Sequence, residues 1–292
     1  MKRPSFSVKR PASATAAPRS ARAALLPTPK PRTRRWAWAG GVIGLLLALV
    51  TFAPAAWLAS GLAAATQQRL LLADARGSIW SGSARLILSA GPGSRDASEL
   101  PDRLQWSLRP AWISGGVGLR LTLNQDCCIR PDAPLTVRLG LGKLSLNLPD
   151  SSDGRPWIQW PAAWLTGLGT PWNTLAPDGR LVLSAQKFSV DRDQGRWKVD
   201  GVIQLDLQEM SSRLSSVDPL GSYRLSILGS ATPQLMLQTL QGPLLLNGQG
   251  SLGNRVQFRG DASAAPGSEA ALANLLNIIG RREGARSIIS VG

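Results

Sequence analysis

An all-β domain carried behind one N-terminal transmembrane helix is the architecture the sequence predicts. Three observations predict it: a long uncharged stretch near the N-terminus, apolar–polar alternation at period two through most of the chain beyond that stretch, and only two short segments with helical spacing. The implied sheet is mostly antiparallel and curled, because one-sided strands with few helices to cover them fold into a sandwich, a barrel or a trough. If such a sheet does not close, its uncovered apolar face becomes a binding surface for protein or lipid.

Residues 1–35 hold ten basic side chains, no acidic one and six prolines, whereas the other 257 residues carry 23 basic and 18 acidic. The formal charge of +15 therefore describes a tail, and that tail has too little apolar surface to offset the entropy of ordering. It is expected to be a disordered basic segment in the cytoplasm. From Trp36 to Gln68 no residue is charged; the densest part, Trp36–Leu58, is 23 residues long. At about 1.5 Å per residue a helix of that length crosses the roughly 30 Å hydrocarbon layer. Trp36, Trp38 and Trp57 stand where aromatic belts form, and the positive-inside rule keeps the N-terminus cytoplasmic. Residues 66–292 are then expected to form a periplasmic β domain held at the inner membrane. Thr33-Arg34-Arg35-Trp36 also resembles a twin-arginine signal, but the span is too long for one. A basic arm could bind nucleic acid, yet no aromatic interleaves these charges and the membrane accounts for them, so no nucleic-acid partner is expected.

Alternation marks the strands: Leu104-Trp106-Leu108, Leu119-Leu121-Leu123, Leu181-Leu183-Ala185, Ile203-Leu205-Leu207, Tyr223-Leu225-Ile227, Leu244-Leu246 and Val256-Phe258. In 134–150 the apolar residues are odd-numbered from Leu135 to Leu141, then even-numbered from Leu144 to Leu148. A strand cannot change face without a slip, so Gly142-Lys143 is expected as a hairpin turn rather than a bulge. Pro161 opens a short helix through Trp164 that stops near Gly167, and Ser268 caps a helix over Glu269–Ile278 that Gly280 ends. Ten or so short strands and two minor helices result.

The chain has no histidine, which excludes Ser-His-Asp triads, Cys-His pairs and His-ligated metals. Cys127 and Cys128 are adjacent; they could form a vicinal disulfide, pair with another chain or remain thiols, and no C-x-x-C motif supports redox catalysis. Asp191, Asp193, Asp200 and Asp206 lack the calcium-loop order and read as solvated strand edges. No P-loop, dinucleotide fingerprint or nucleophile elbow occurs. The expectation is a protein without enzymatic activity, catalytic residues, metal or cofactor. Eight tryptophans lie beyond the span, three of them at 157–164, and core packing is their expected role rather than a contact surface.

Four segments carry a resemblance: Gly77-Ser78-Ile79-Trp80-Ser81-Gly82-Ser83-Ala84, Gly169-Thr170-Pro171-Trp172-Asn173-Thr174-Leu175, Pro219-Leu220-Gly221-Ser222-Tyr223, and Ala271–Arg282 with Gly284-Ala285-Arg286-Ser287 after it. With a single span before them, they resemble the N component of bacterial type II secretion systems. The resemblance implies an inner-membrane protein with a periplasmic domain, other secretion components as partners and no catalysis. Its motif residues are Gly77, Trp80, Gly82, Pro171, Trp172, Asn173, Pro219, Gly221, Tyr223, Gly280, Arg281, Arg282 and Arg286. Locally, Gly77 and Gly82 suit a tight connection with Trp80 plugging the sheet's apolar side. GTPWNT reads as a built turn. Arg281, Arg282 and Arg286 either bond the carbonyls ending the last helix or face an acidic partner. Two functions are compatible with these features: a scaffold binding envelope components by edge pairing or an apolar patch, or a trough holding lipid acyl chains.

Overall fold

The computed structural model describes residues 31–113, 116–130, 133–140, 143–151, 156–193, 195–253 and 255–291. Residues 1–30, most of the expected tail, lie outside them. Two compact units divide the chain, residues 1–47 and 48–292.

Helix α1 runs over Pro31–Thr51 and helix α2 over Ala55–Ala65. The expected unbroken helix over Trp36–Leu58 is therefore corrected. Pro54 has no N–H to continue the ladder and its ring clashes with the preceding turn, so the chain breaks there and Pro54 bridges Ser78 instead. Ala53 and Ala55 are buried, Ala55 against Ala84 and Trp106, which makes α2 part of the β unit. The apolar part of α1 that remains, Trp36–Thr51, measures about 24 Å at 1.5 Å per residue. Among the described residues no helix is long and apolar enough to cross a membrane.

From Leu70 onward the chain is a mostly antiparallel meander. Its strands are β1 (Leu70–Gly77), β2 (Ser81–Ser89), β3 (Ala97–Ile113), β4 (Gly116–Asn124), β5 (Leu135–Gly140), β6 (Lys143–Asn147), β7 (Ile158–Pro161) and β8 (Pro177–Asp193). They continue as β9 (Arg196–Ser212), β10 (Gly221–Leu228), β11 (Gln234–Gln241), β12 (Leu244–Leu252), β13 (Val256–Ala264), β14 (Arg281–Glu283) and β15 (Arg286–Val291). One 15-stranded sheet holds them all, in the order β1-β2-β3-β4-β5-β6-β8-β9-β10-β11-β12-β13-β15-β14, with β7 alongside β8. The sheet stays open, with β1 and β14 at its two edges.

Among the described residues fifteen strands exceed the ten or so expected, and β3, β8 and β9 each reach 17 residues. Strands as short as β7 and β14, of four and three residues, show no period to read, while one-residue register shifts at Ala73/Arg76 and Gln186/Ser189 reverse the parity of the pattern inside β1 and β8. The parity switch in 134–150 is a hairpin, β5 against β6, with Gly140 opposite Lys143. Lys143 thus opens β6 instead of occupying the turn, and residues 141 and 142 lie outside the described set.

Antiparallel connection gives the sheet two unlike ends. At one, β1–β2, β3–β4, β5–β6, β8–β9, β10–β11 and β12–β13 turn back directly. At the other lie the tight β11–β12 turn and the longer connections, and the longer ones cover the apolar face. A 3-10 helix at Ala162–Leu168, helix α3 (Trp172–Leu175) and helix α4 (Glu269–Ile279) sit there. Leu272, Leu275 and Leu276 of α4 are buried against Leu181, Tyr223, Leu244 and Ala262. Trp157, Trp164 and Ile129 fill the space under Leu86, Leu100 and Leu104. The core is therefore concentrated at the helix-covered end.

Candidate functional site

The first motif lies at the opposite, hairpin end. Gly77 pairs with Gly82, and Gly77 has φ +90, a conformation that suits glycine. A Cβ on Gly82 would stand 2.5 Å from both Arg76 O and the Trp106 ring. Trp106, not Trp80, fills the apolar side, packing against Ala55 and Ala84 and donating from Nε1 to Ser78 O at 3.2 Å. Trp80 turns away from the core and donates to Val50 O at 2.8 Å. With Ile79 N donating to Ala53 O at 3.0 Å, the motif forms a socket for residues 50–54.

The other three motifs gather at the helix-covered end. Thr170–Pro171 and Asp218–Pro219 are cis peptides. Asn173 Nδ2 donates to Asp96 Oδ2 at 3.3 Å, tying the turn to the β2–β3 connection, and half-buried Trp172 opens α3. Gly221 has φ +151, and a Cβ there would meet Gln241 O at 2.5 Å. Tyr223 is buried and its hydroxyl donates to Leu244 O at 3.1 Å; burial pushes the phenol pKa up from its ordinary value.

Past α4, Gly280 is extended and approaches Ile288 closely. Ser287 Oγ donates to Leu276 O at 2.5 Å. The expected role of the arginines at that helix end is thereby corrected: Arg281 pairs with Glu283 and Arg282 Nε donates to Gly284 O at 2.9 Å. Both lie exposed on edge strand β14, and Arg286, also exposed, opens β15. Ser268 precedes α4 without a side-chain cap; Glu269 Oε2 accepts from Gly267 N at 2.9 Å in its place.

Cys127 and Cys128 are joined as a vicinal disulfide in a tight loop. Gln125 N and Ile129 O bond at 2.8 Å across its base, and buried Gln125 donates to Pro101 O and Asp102 O. Cys128 faces the core beside Trp157. The four aspartates do not converge: Asp193 pairs with Lys143 at 3.0 Å, Asp200 with Lys198 at 2.8 Å, Asp206 with Arg224 at 2.6 Å, and Asp191 accepts from Ser145. Lys198's pKa is held above its usual value by the hydrogen bond it donates to Asp200. Of the three tryptophans at 157–164, Trp157 and Trp164 are buried and Trp160 packs against Trp164 with the rings tilted by 51° and their centroids 5.1 Å apart.

One set of residues escapes the reading of the sequence. In register, Trp112 faces Val117, Leu139 faces Leu144, Leu144 faces Arg192 and Arg192 faces Trp197. Gly118 faces Arg138, which sets Val117 beside Leu139. A single row thus crosses β3, β4, β5, β6, β8 and β9 near their hairpin ends. It lies on the same sheet face as the core, yet Trp112 is 71%, Val117 57%, Leu139 48% and Trp197 57% exposed. Alternation marked the side taken by Leu139 and Leu144; nothing in the sequence said that the cover stops short of this row.

By its fold the chain is an all-β protein built on one open antiparallel meander, its apolar face closed at one end by short helices. Residues 68–289, almost the whole of the sheet, match the family described as Type II secretion system (T2SS), protein N, and the chain belongs to that family. It is a component of the type II secretion machinery. No curated protein and no solved structure matches the chain.

Proposed function

We propose that this chain is a non-enzymatic scaffold of the secretion machinery, anchored in the inner membrane and binding other secretion components through a periplasmic β domain. The family match across the sheet carries the reading. The boundaries proposed are a cytoplasmic tail over 1–35, a membrane segment within 36–58 and a periplasmic domain over 66–292.

Helix α1 supports the anchor. Trp36, Trp38, Val42, Ile43, Leu45, Leu46, Leu47, Leu49 and Val50 are all exposed, and they surround the helix instead of forming one stripe. A helix apolar on every side is at home in protein core or lipid. Its apolar run is a few ångströms short, and a bilayer accommodates such a mismatch by thinning and by snorkelling of flanking cations such as Arg35. A reporter fused after Gly292 tests the topology: periplasmic activity is expected, and cytoplasmic activity would overturn the compartment. Crosslinking of native envelopes, read out by mass spectrometry, tests the scaffold, with other type II components the expected neighbours.

A second reading, a trough for acyl chains, is favoured by half-buried Leu119, Val137, Leu146, Val190 and Val199, which continue the apolar face toward the uncovered row. It predicts lipid that copurifies with the protein.

A further inference from the structure

We infer that the hairpin end of the sheet is a membrane-docking edge, seated by the row Trp112–Val117–Leu139–Trp197 on an anionic bilayer surface. The inference rests on the anchored reading only for which membrane is met.

Two independent observations select the occupant. The first is charge. The hairpin segment 109–120 carries Arg109 and Arg120 and no acid; 136–147 carries Arg138 and Lys143 and no acid; 189–200 carries Arg192, Arg196 and Lys198 with Asp191, Asp193 and Asp200. Seven cations thus meet three carboxylates, a surplus of four. Each carboxylate is already engaged, by Ser145, Lys143 and Lys198. Arg192 lies over the Trp197 ring at 5.2 Å, while Arg109, Arg120, Arg138 and Arg196 have no ion pair among the described residues. These four arginines stand on the sheet face opposite the row, so a hairpin end set edge-on presents tryptophans on one side and unpaired cations on the other, and both match the headgroup region, where indole rings settle and cations meet anionic lipid.

The second observation is where the chain enters. Residues 50–54 are held by the β1–β2 turn, which faces the same way as these hairpins. Beside that turn Ser81 is opposite Ser107, so Trp112 stands about 17 Å further along β3 at roughly 3.4 Å per residue. The row is about 24 Å wide, five strand spacings of roughly 4.8 Å. The first residues of the β unit, 50–54, therefore lie at the end that bears the row. A protein added by strand pairing would need a free sheet edge; here β3, β4, β5, β6, β8 and β9 are each paired on both sides.

The test uses the full chain reconstituted in vesicles, with an environment-sensitive fluorophore on Val117→Cys under non-reducing conditions, while Cys127 and Cys128 remain bonded to each other. In mixed phosphatidylcholine–phosphatidylglycerol vesicles the label is expected to shift to the blue and to be quenched by brominated lipid. In pure phosphatidylcholine, or at high salt, it is expected to lose most of that protection. Arg109→Glu and Arg138→Glu should each lower the docked fraction about fivefold or more, and Trp112→Ser with Trp197→Ser should abolish quenching. A second label on Leu46→Cys reports the anchor separately. Quenching at residue 46 with a fully aqueous label at residue 117 would overturn the docking edge and leave the anchor standing. An aqueous label at 46 with a quenched one at 117 would do the reverse. Protection at 117 that appears in native envelopes and never in protein-free vesicles would assign the row to a protein partner and overturn the inference.

Discussion

Tyr223 illustrates how a motif residue acts through packing. Its ring is part of the main core and its hydroxyl satisfies Leu244 O, so Tyr223→Phe keeps the shape and leaves one buried carbonyl without its donor. A loss of about 1–3 kcal/mol is expected, measured as a lower urea midpoint at unchanged slope. Gly82→Ala meets backbone and the Trp106 ring at 2.5 Å and should cost about 1–3 kcal/mol or more; survival of the wild-type midpoint would show that the socket is looser than the geometry implies. Asp74 offers a pH test. Hydrogen bonds from Arg76, then Arg103, hold its pKa below the ordinary aspartate value. A depressed native pKa adds stability above the unfolded value, and that contribution disappears as pH falls through the native one. Acidification below the usual aspartate range should therefore speed amide exchange in β1, and Asp74→Asn should remove that pH dependence. The sequence pointed to both glycines around Trp80 but chose the wrong tryptophan. Trp106 lies 24 positions beyond Gly82, and only the β2–β3 register brings them together.

Among elements, α4 is the plainest case of a sequence that announces its own structure. Leu272, Leu275 and Leu276 recur at helical spacing and all three are buried. Leu275→Ala removes a fully buried side chain, so about 2–5 kcal/mol is expected to be lost, read as a drop in thermal midpoint of the purified chain. Strands β3 and β4 and the β5–β6 hairpin were equally legible, because period-two alternation is imposed by the pleat of the strand itself. Bulges were not. A residue such as Lys187, with φ +48 in β8, hides inside an otherwise regular pattern and divides it. The helical break at Pro54 is a consequence of proline chemistry, but the docking of α2 on Ala84 and Trp106 is a contact between segments whose sequences do not announce each other.

At the scale of the whole molecule, the two sheet edges and the two sheet ends have different uses. Edge strand β14 is short and charged at Arg281, Arg282 and Glu283, features that discourage indiscriminate strand pairing. If that edge meets an acidic partner, Arg281→Glu with Arg282→Glu should reduce recovery of secretion components in a pull-down about tenfold without lowering stability, since exposed ion pairs contribute about 0–1 kcal/mol. Unchanged recovery would direct the search for the partner to β1. From its sequence alone the chain determined a predominantly pleated body, which residues share a side of the sheet between bulges, and its place among type II secretion N proteins. Those properties are written locally, in spacing and in short motifs. Only the tertiary structure decided that the sheet stays open, that Trp106 and not Trp80 seals the socket, and that Leu123 is covered while Val117 on the same face is not. Cover depends on which distant segments arrive above a strand, and alternation within the strand carries no record of them.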